Sequence, residues 1–149
     1  MVTIRPARPG DAQTWSLLRH DLWPDGSLEE HAQEIEDFLM GRAREPLAAL
    51  MAEGPREEIL GFAELSIRPC AEGCTTDRIA YLEGWYVVPR ARGQGVGRAL
   101  VEAALDWARA QGCSEFASDT EVSNEVSTAA HRALGFDEVG LIRCFRKAL

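Results

Sequence analysis

The sequence is short of positive charge. Its 149 residues hold 16 Lys and Arg against 24 Asp and Glu, for a formal net charge of −8. A chain this acidic lacks the basic footprint that nucleic-acid binding requires. It also has no apolar run near the ~20 residues that span a bilayer, so membrane insertion is not expected. No internal repeat or low-complexity tract is present, and 46% hydrophobic with 27% charged residues excludes disordered, collagen-like and coiled-coil chains. No basic-then-apolar signal segment opens the sequence, so the expectation is a reduced, cytoplasmic setting. Cys70 and Cys74 have CxxxC spacing, but no second pair or nearby histidine completes a ligand set, and no metal is expected. What is left is an ordinary folded protein whose length fits one domain, residues 1–149, with a core that needs no staples.

The charge is unevenly placed. Asp25 to Glu58 holds ten acidic residues and three arginines, whereas Pro89 to Arg109 carries Arg90, Arg92, Arg98 and Arg109 against Glu102 and Asp106. Such a division suits two ligands of opposite charge, or simply solvated helix faces.

The pattern predicts a strand at Val2–Arg5 and a helix from Asp11 to Leu22 with Trp15, Leu18 and Leu22 at helical spacing. Ser27 and Glu30 form a capping-box pattern for a second helix reaching Gly41. Strands are expected at Pro46–Ala52, Glu58–Ile67 and Ile79–Val88, with a polar loop at 69–78. An amphipathic helix then ends at Gly112, followed by a strand at Phe116–Asp119, a helix at Asn124–Leu134 and a last strand at Val139–Arg146. This order predicts a mixed α/β sheet covered by helices. Glu83 and Gly84 interrupt the most strand-like run, and a glycine there marks a bulge or a close backbone approach.

The most informative segment runs from Val87 to Arg98, Val-Val-Pro-Arg-Ala-Arg-Gly-Gln-Gly-Val-Gly-Arg. Three glycines in five residues between a strand and a helix let several N–H groups converge on an anion. No Gly-Lys-Ser/Thr follows, and Arg98 stands where the dinucleotide fingerprint needs its third glycine, so both familiar nucleotide loops are excluded.

Arg92-x-x-Gly95-x-Gly97 resembles the pyrophosphate loop of the GNAT superfamily of N-acetyltransferases. Asn124, His131 and Gly135-Phe136 keep the spacing of its N-x6-Y-x3-G-F segment, with histidine in place of tyrosine. Leu22-Trp23-Pro24, Leu82-Glu83-Gly84, Ala117-Ser118-Asp119-Thr120, His131 to Phe136 and Phe145-Arg146-Lys147 together resemble bacterial aminoglycoside 6'-N-acetyltransferases. The Cys70–Asp77 loop departs from that family in having no aromatic residue to give the acceptor site.

The resemblance implies a single-domain α+β GNAT fold, with a mixed, mostly antiparallel sheet and helices on both faces. It implies acetyl-CoA as co-substrate, a cationic aminoglycoside as acceptor and a homodimer. Coenzyme contacts would come from Trp85, Tyr86 and Val87 along the strand, from Arg92, Gly93, Gln94, Gly95, Val96, Gly97 and Arg98 in the loop, and from Asn124. Acceptor contacts would come from Trp23, Gly26, Glu83 and Asp119. Acetylation of another polyamine or a protein amine, or acyl-CoA sensing without catalysis, is the competing reading.

Chemistry assigns provisional roles. An aliphatic amine is mostly protonated near neutral pH and must lose a proton before attack. Glu83 is the candidate base, or an ammonium anchor, or an edge carboxylate paired with an arginine. Alternation puts it on one face with Tyr81, Trp85 and Val87 up to the bulge. An N–H at Val87 freed by a bulge would stabilise the oxyanion. His131 would return a proton to the thiolate, or only pack. Asp119 would hold a second ammonium or cap a helix, Asn124 would touch coenzyme or cap the fourth helix, and Trp23 would be a sugar platform or a core closure.

An acidic enzyme draws a polycation in by long-range attraction. Apparent acceptor affinity, measured by calorimetry across a salt series, should therefore fall as ionic strength rises; a salt-independent affinity would reduce the −8 to a solubility feature.

Overall fold

In the computed structural model, which describes Met1 to Leu149, local signals place the helices as the sequence indicates. The hydroxyl of Ser27 accepts the Glu30 N–H at 3.1 Å while the Glu30 carboxylate accepts the Ser27 N–H at 3.1 Å, closing the capping box. The elements are β1 (Thr3–Pro6), α1 (Ala12–Leu22), α2 (Leu28–Leu39), β2 (Ala48–Glu53), β3 (Ile59–Arg68), β4 (Ile79–Val87), α3 (Val96–Ala110), β5 (Glu115–Ser118) and α4 (Glu125–Ala133). Single 3₁₀ turns at Pro9–Asp11 and Pro89–Ala91 precede α1 and the α3 loop.

The five strands form one sheet in the order β1-β2-β3-β4-β5. The first four pair antiparallel and β5 joins β4 in parallel, so the sheet is mixed and mostly antiparallel. Helices cover both faces. Trp15 and Leu18 of α1 and Ile35 of α2 pack on Met51 and Phe62 on one side. Leu100, Val101 and Ala104 of α3 pack on Leu60, Leu65 and Leu82 on the other. Burying these side chains is the main favourable contribution to folding, roughly 1.5–3 kcal/mol for each large one.

One expected element is missing. Beyond Phe136 the chain has no regular structure, and Val139, Leu141, Ile142 and Phe145 are exposed. Strand propensity describes how well a segment fits a half-buried pleated surface. No edge of this chain takes up the tail, so its alternation finds no partner.

Arg5 ties β1 to its neighbours. Its guanidinium grips Asp11 in bidentate fashion at 2.8 and 2.9 Å, and its Nε donates to Glu53 at 2.7 Å. The Arg5 hydrogen bonds hold the Asp11 carboxyl below its ordinary range. A carboxylate lowered on folding contributes stability above its unfolded pKa of about 3.9 and loses it as pH falls through the folded value. Asp11→Asn should therefore lower the melting temperature at neutral pH and flatten the decline in stability below about pH 4; an unchanged acid limb would contradict this role.

Candidate functional site

β4 carries the site because its pairing breaks on both edges. Toward β3, Glu64 faces Gly84 and Leu65 faces Leu82, leaving Glu83 as the extra residue of a bulge. Toward β5, pairing ends at Leu82 and Ser118. The bulge also resets the alternation. Glu83 and Gly84 both turn toward α1 and α2, while Trp85 and Val87 pack with the α3 core. Trp85 is thus on the opposite face from Glu83, contrary to simple alternation, because a bulge inserts one residue into a period of two.

Past the bulge the β5-side edge of β4 is open. The Val88 N–H donates to the Leu60 carbonyl of β3 at 2.9 Å, so alternation directs the Val87 N–H to the open edge. On that edge Arg92 Nε donates to the Val87 carbonyl at 2.8 Å, and its guanidinium carbon lies 5.5 Å from the Tyr86 ring centre.

Glu83 is densely bonded. One oxygen accepts from the Ser66 hydroxyl and from Arg68 Nε, both at 2.7 Å, and the other accepts from an Arg68 terminal nitrogen at 2.6 Å. The pairing with an arginine that the sequence left open is therefore present. The Arg68 guanidinium carbon lies 3.5 Å from the Tyr81 ring centre, and the Tyr81 hydroxyl donates to Asp119. Burial and the Asp119 carboxylate push the Tyr81 phenol above its usual range, keeping it a donor.

Below the α1–α2 turn, Glu83 opens into a pocket of about 390 Å³ that also presents Trp23, Gly26, Glu34, Glu45 and Glu64. Its cation, Arg19, is shared by Glu34 at 2.7 Å and Glu64 at 2.8 Å. Glu64 is buried and also accepts from the Trp15 indole at 3.0 Å; burial pushes its carboxyl up against the pull of Arg19. The turn is held from behind by His20 donating to the Gly26 carbonyl and His31 donating to the Trp23 carbonyl, each at 3.0 Å. Trp23 lies directly on Gly84, where a Cβ would come within 2.6 Å of its ring.

The glycine loop follows β4. Gly93 and Gly95 have φ of 74° and 83°, which only glycine adopts without strain, with open space around both. α3 then starts with no capping side chain and no acid in its first turn, so the N–H groups from Val96 to Arg98 face no internal acceptor side chain. Gln94 donates to the Arg90 carbonyl at 3.0 Å and shapes the turn. Trp85 packs under Gly97, where a Cβ would lie 3.1 Å from its ring, and its indole N–H has no partner. Tyr86 turns to the other face, against Phe62.

His131 lies edge-on to Trp85, with ring centres 5.2 Å apart. Its Nδ1 donates to the Ser127 carbonyl at 2.8 Å, and Nε2 is 2.8 Å from the Ser118 hydroxyl at the end of β5. Both ring nitrogens are therefore engaged. Asn124 caps α4 by accepting the Ser127 N–H at 3.0 Å. Asp119 follows β5 and meets Tyr81 rather than a helix end.

Residues 13–136 match the acetyltransferase (GNAT) family. The chain belongs to that family.

This acetyltransferase is 57% identical over 146 residues to the aminoglycoside N(6')-acetyltransferase type 1 of Klebsiella aerogenes, covering 98% of its own chain and 96% of the relative. A solved aminoglycoside N-acetyltransferase, AAC(6')-Iy, in complex with CoA is similar in fold, with a TM-score of 0.91 and 33% identity over 100% of this chain and 96% of the other. AAC(6')-Iy in complex with the bisubstrate analogue CoA-S-monomethyl-acetylneamine gives a TM-score of 0.90 and 33% identity, covering 100% and 99%.

Several residues of the acetyltransferase site escaped the sequence reading. Ser66 and Arg68 lie on ordinary strand positions, and only the pairing of β3 with β4 brings them beside Glu83 and Tyr81, which alternation already puts on one face. Arg19, Glu34, Glu45 and Glu64 read as surface charge or strand interior until α1 and α2 fold over the sheet. The one signal available was Glu64, a charge inside an apolar strand, which is costly unless paired.

Gly84→Ala should push Trp23 off the strand, raising the acceptor KM about tenfold and costing roughly 1–3 kcal/mol of stability. Steady-state kinetics and thermal melts check this; an unchanged acceptor KM would show that the Trp23 position does not matter.

Proposed function

We propose that residues 1–149 form one aminoglycoside 6'-N-acetyltransferase domain, transferring acetyl from acetyl-CoA to the 6'-amine of the drug and so conferring resistance. The observation that carries this reading is the carboxylate-lined pocket meeting the open edge of β4 at Glu83. It suits a cationic amine, and the relatives named above narrow that cation to an aminoglycoside.

The residues present fit acetyl-CoA. The open space at Gly93 and Gly95 and the uncapped start of α3 suit a pyrophosphate, with Arg92, Gln94, Val96, Gly97 and Arg98 around it. Trp85, Tyr86 and Val87 offer the strand edge left by β5 for the pantetheine arm, with Arg92 holding the Val87 carbonyl there. The bound coenzyme supplies an acetyl thioester. Val87 N–H stabilises the charge that develops on the carbonyl oxygen. A carboxylate has about four lone-pair sites, and three internal donors occupy Glu83, so one remains for the acceptor amine. We assign Glu83 the role of orienting that amine, with solvent taking the proton. Trp23 and Gly26 form the wall under the sugar, and Asp119 takes a second ammonium. Both His131 nitrogens are engaged, so a proton for the thiolate would come by way of Ser118, and Asn124 acts by capping the helix that carries His131.

A homodimer is supported by the exposed Val139, Leu141, Ile142 and Phe145 of the tail, which a second copy would cover. Four free cysteines accord with a cytoplasmic setting. No helix is long and apolar enough to cross a membrane, and no three His, Cys, Asp or Glu side chains cluster as a metal site.

A thiol-release assay with acetyl-CoA should show turnover with aminoglycosides bearing a free 6'-amine. Turnover with spermidine or a peptide but with no such drug would overturn the reading.

A further inference from the structure

Four side chains of β3 and β4, together with Asp119 just beyond β5, form one connected set with a carboxylate at each end. Ser66 and Arg68 bind Glu83, Arg68 stacks on Tyr81, and Tyr81 donates to Asp119. Besides the β4 backbone, the guanidinium is the side-chain link between the two halves. Its two donors to Glu83 form a fork, at 2.7 and 2.6 Å, so they fix the plane of the carboxylate as well as its position. Its flat face over the Tyr81 ring, 3.5 Å from guanidinium carbon to ring centre, fixes the phenol that holds Asp119. The Glu83 hydrogen bonds hold the Arg68 guanidinium more firmly protonated.

We propose that Arg68 is a specificity-determining positioning residue. It locks Glu83 and, through Tyr81, Asp119 at one separation and orientation, so that a polycationic acceptor docks in a single register and presents one amine for acetylation. This deepens the reading of the preceding subsection and rests on it. An aminoglycoside carries several amines of similar intrinsic reactivity, and a charged pocket alone would accept them in several registers. A lysine at position 68 would keep the charge but supply a point donor without the planar fork or the flat stacking face.

The test compares wild type with Arg68→Gln, Arg68→Lys and Tyr81→Phe on one aminoglycoside, reading kcat, both KM values and the position of the acetyl group by mass spectrometry and NMR of the product. Wild type should give one monoacetylated product. Arg68→Gln should lower kcat about tenfold or more, leave the acetyl-CoA KM within about threefold, and give a mixture of monoacetylated isomers. Arg68→Lys should recover part of the kcat but not the single product. Should Arg68→Gln not fold, Tyr81→Phe still decides, since it keeps the ring under Arg68 and cuts only the link to Asp119. It should raise the acceptor KM about fivefold and add a second isomer. A single product from Arg68→Gln at any kcat, or a single product from Tyr81→Phe if that is the only folded variant, would overturn the proposal. Failure of wild type to acetylate any aminoglycoside would instead overturn the functional reading, so the two failures are distinct.

Discussion

The bulge at Glu83 is the constraint on which the rest of the site depends. One extra residue in β4 reverses the facing of everything after it, so Glu83 and Gly84 both look toward α1 and α2 while Trp85 and Val87 look toward α3. Without it, Glu83 and Trp85 would share a face and the glycine loop would start from a differently aimed strand end. The bulge coincides with the place where β5 parts from β4. An acidic pocket on one face, a glycine loop beyond the other, and a free strand edge between them all follow from that coincidence. Gly84 makes it possible, because only a residue without Cβ admits the Trp23 ring against the strand.

Electrostatics are organised around the same point. The acidic segment from Asp25 to Glu58 contributes Glu34 and Glu45 to the pocket, and β3 and β4 contribute Glu64 and Glu83. Arg19 and Arg68 partly neutralise them, each spent on internal carboxylates rather than on solvent. Removing one partner of such a half-buried set leaves an unpaired charge, which costs far more than an exposed ion pair contributes. The arginines on the other side of β4 are of a different kind. Arg92 pairs with the Val87 carbonyl and the Tyr86 ring rather than with a carboxylate, and no carboxylate enters the first turn of α3. The net charge of −8 therefore conceals two oppositely charged surfaces separated by one strand.

Local rules made much of this legible. The Ser27–Glu30 cap, the helical spacing of Trp15 and Leu18, and the glycine run before α3 report directly on neighbours within a turn or two, and all stand in the fold. The warning given by Glu83-Gly84 also held, but not its consequence for Trp85, because the position of a bulge is set by the partner strand. Tyr81 shares a face with Glu83 by simple alternation, but Arg68 and Ser66 were illegible, because their proximity is a product of register between β3 and β4. His131 was legible as a residue, whereas its dependence on Ser118 needed the parallel placement of β5. Val139–Arg146 has the alternation of a strand yet stays unpaired, since alternation records compatibility with an edge and not the presence of one.

The central claim is that one strand separates two ligand surfaces that meet only at the bulge. The most direct measurement is amide and indole chemical-shift mapping of the full chain, titrated separately with CoA and with an aminoglycoside. The account predicts that CoA shifts Trp85, Val87 and Gly93 to Arg98, that the drug shifts Trp23, Gly26, Tyr81 and Asp119, and that the two sets overlap only around Glu83 and Gly84. Shifts of the α1–α2 turn by CoA alone, or of the glycine loop by the drug alone, would contradict it.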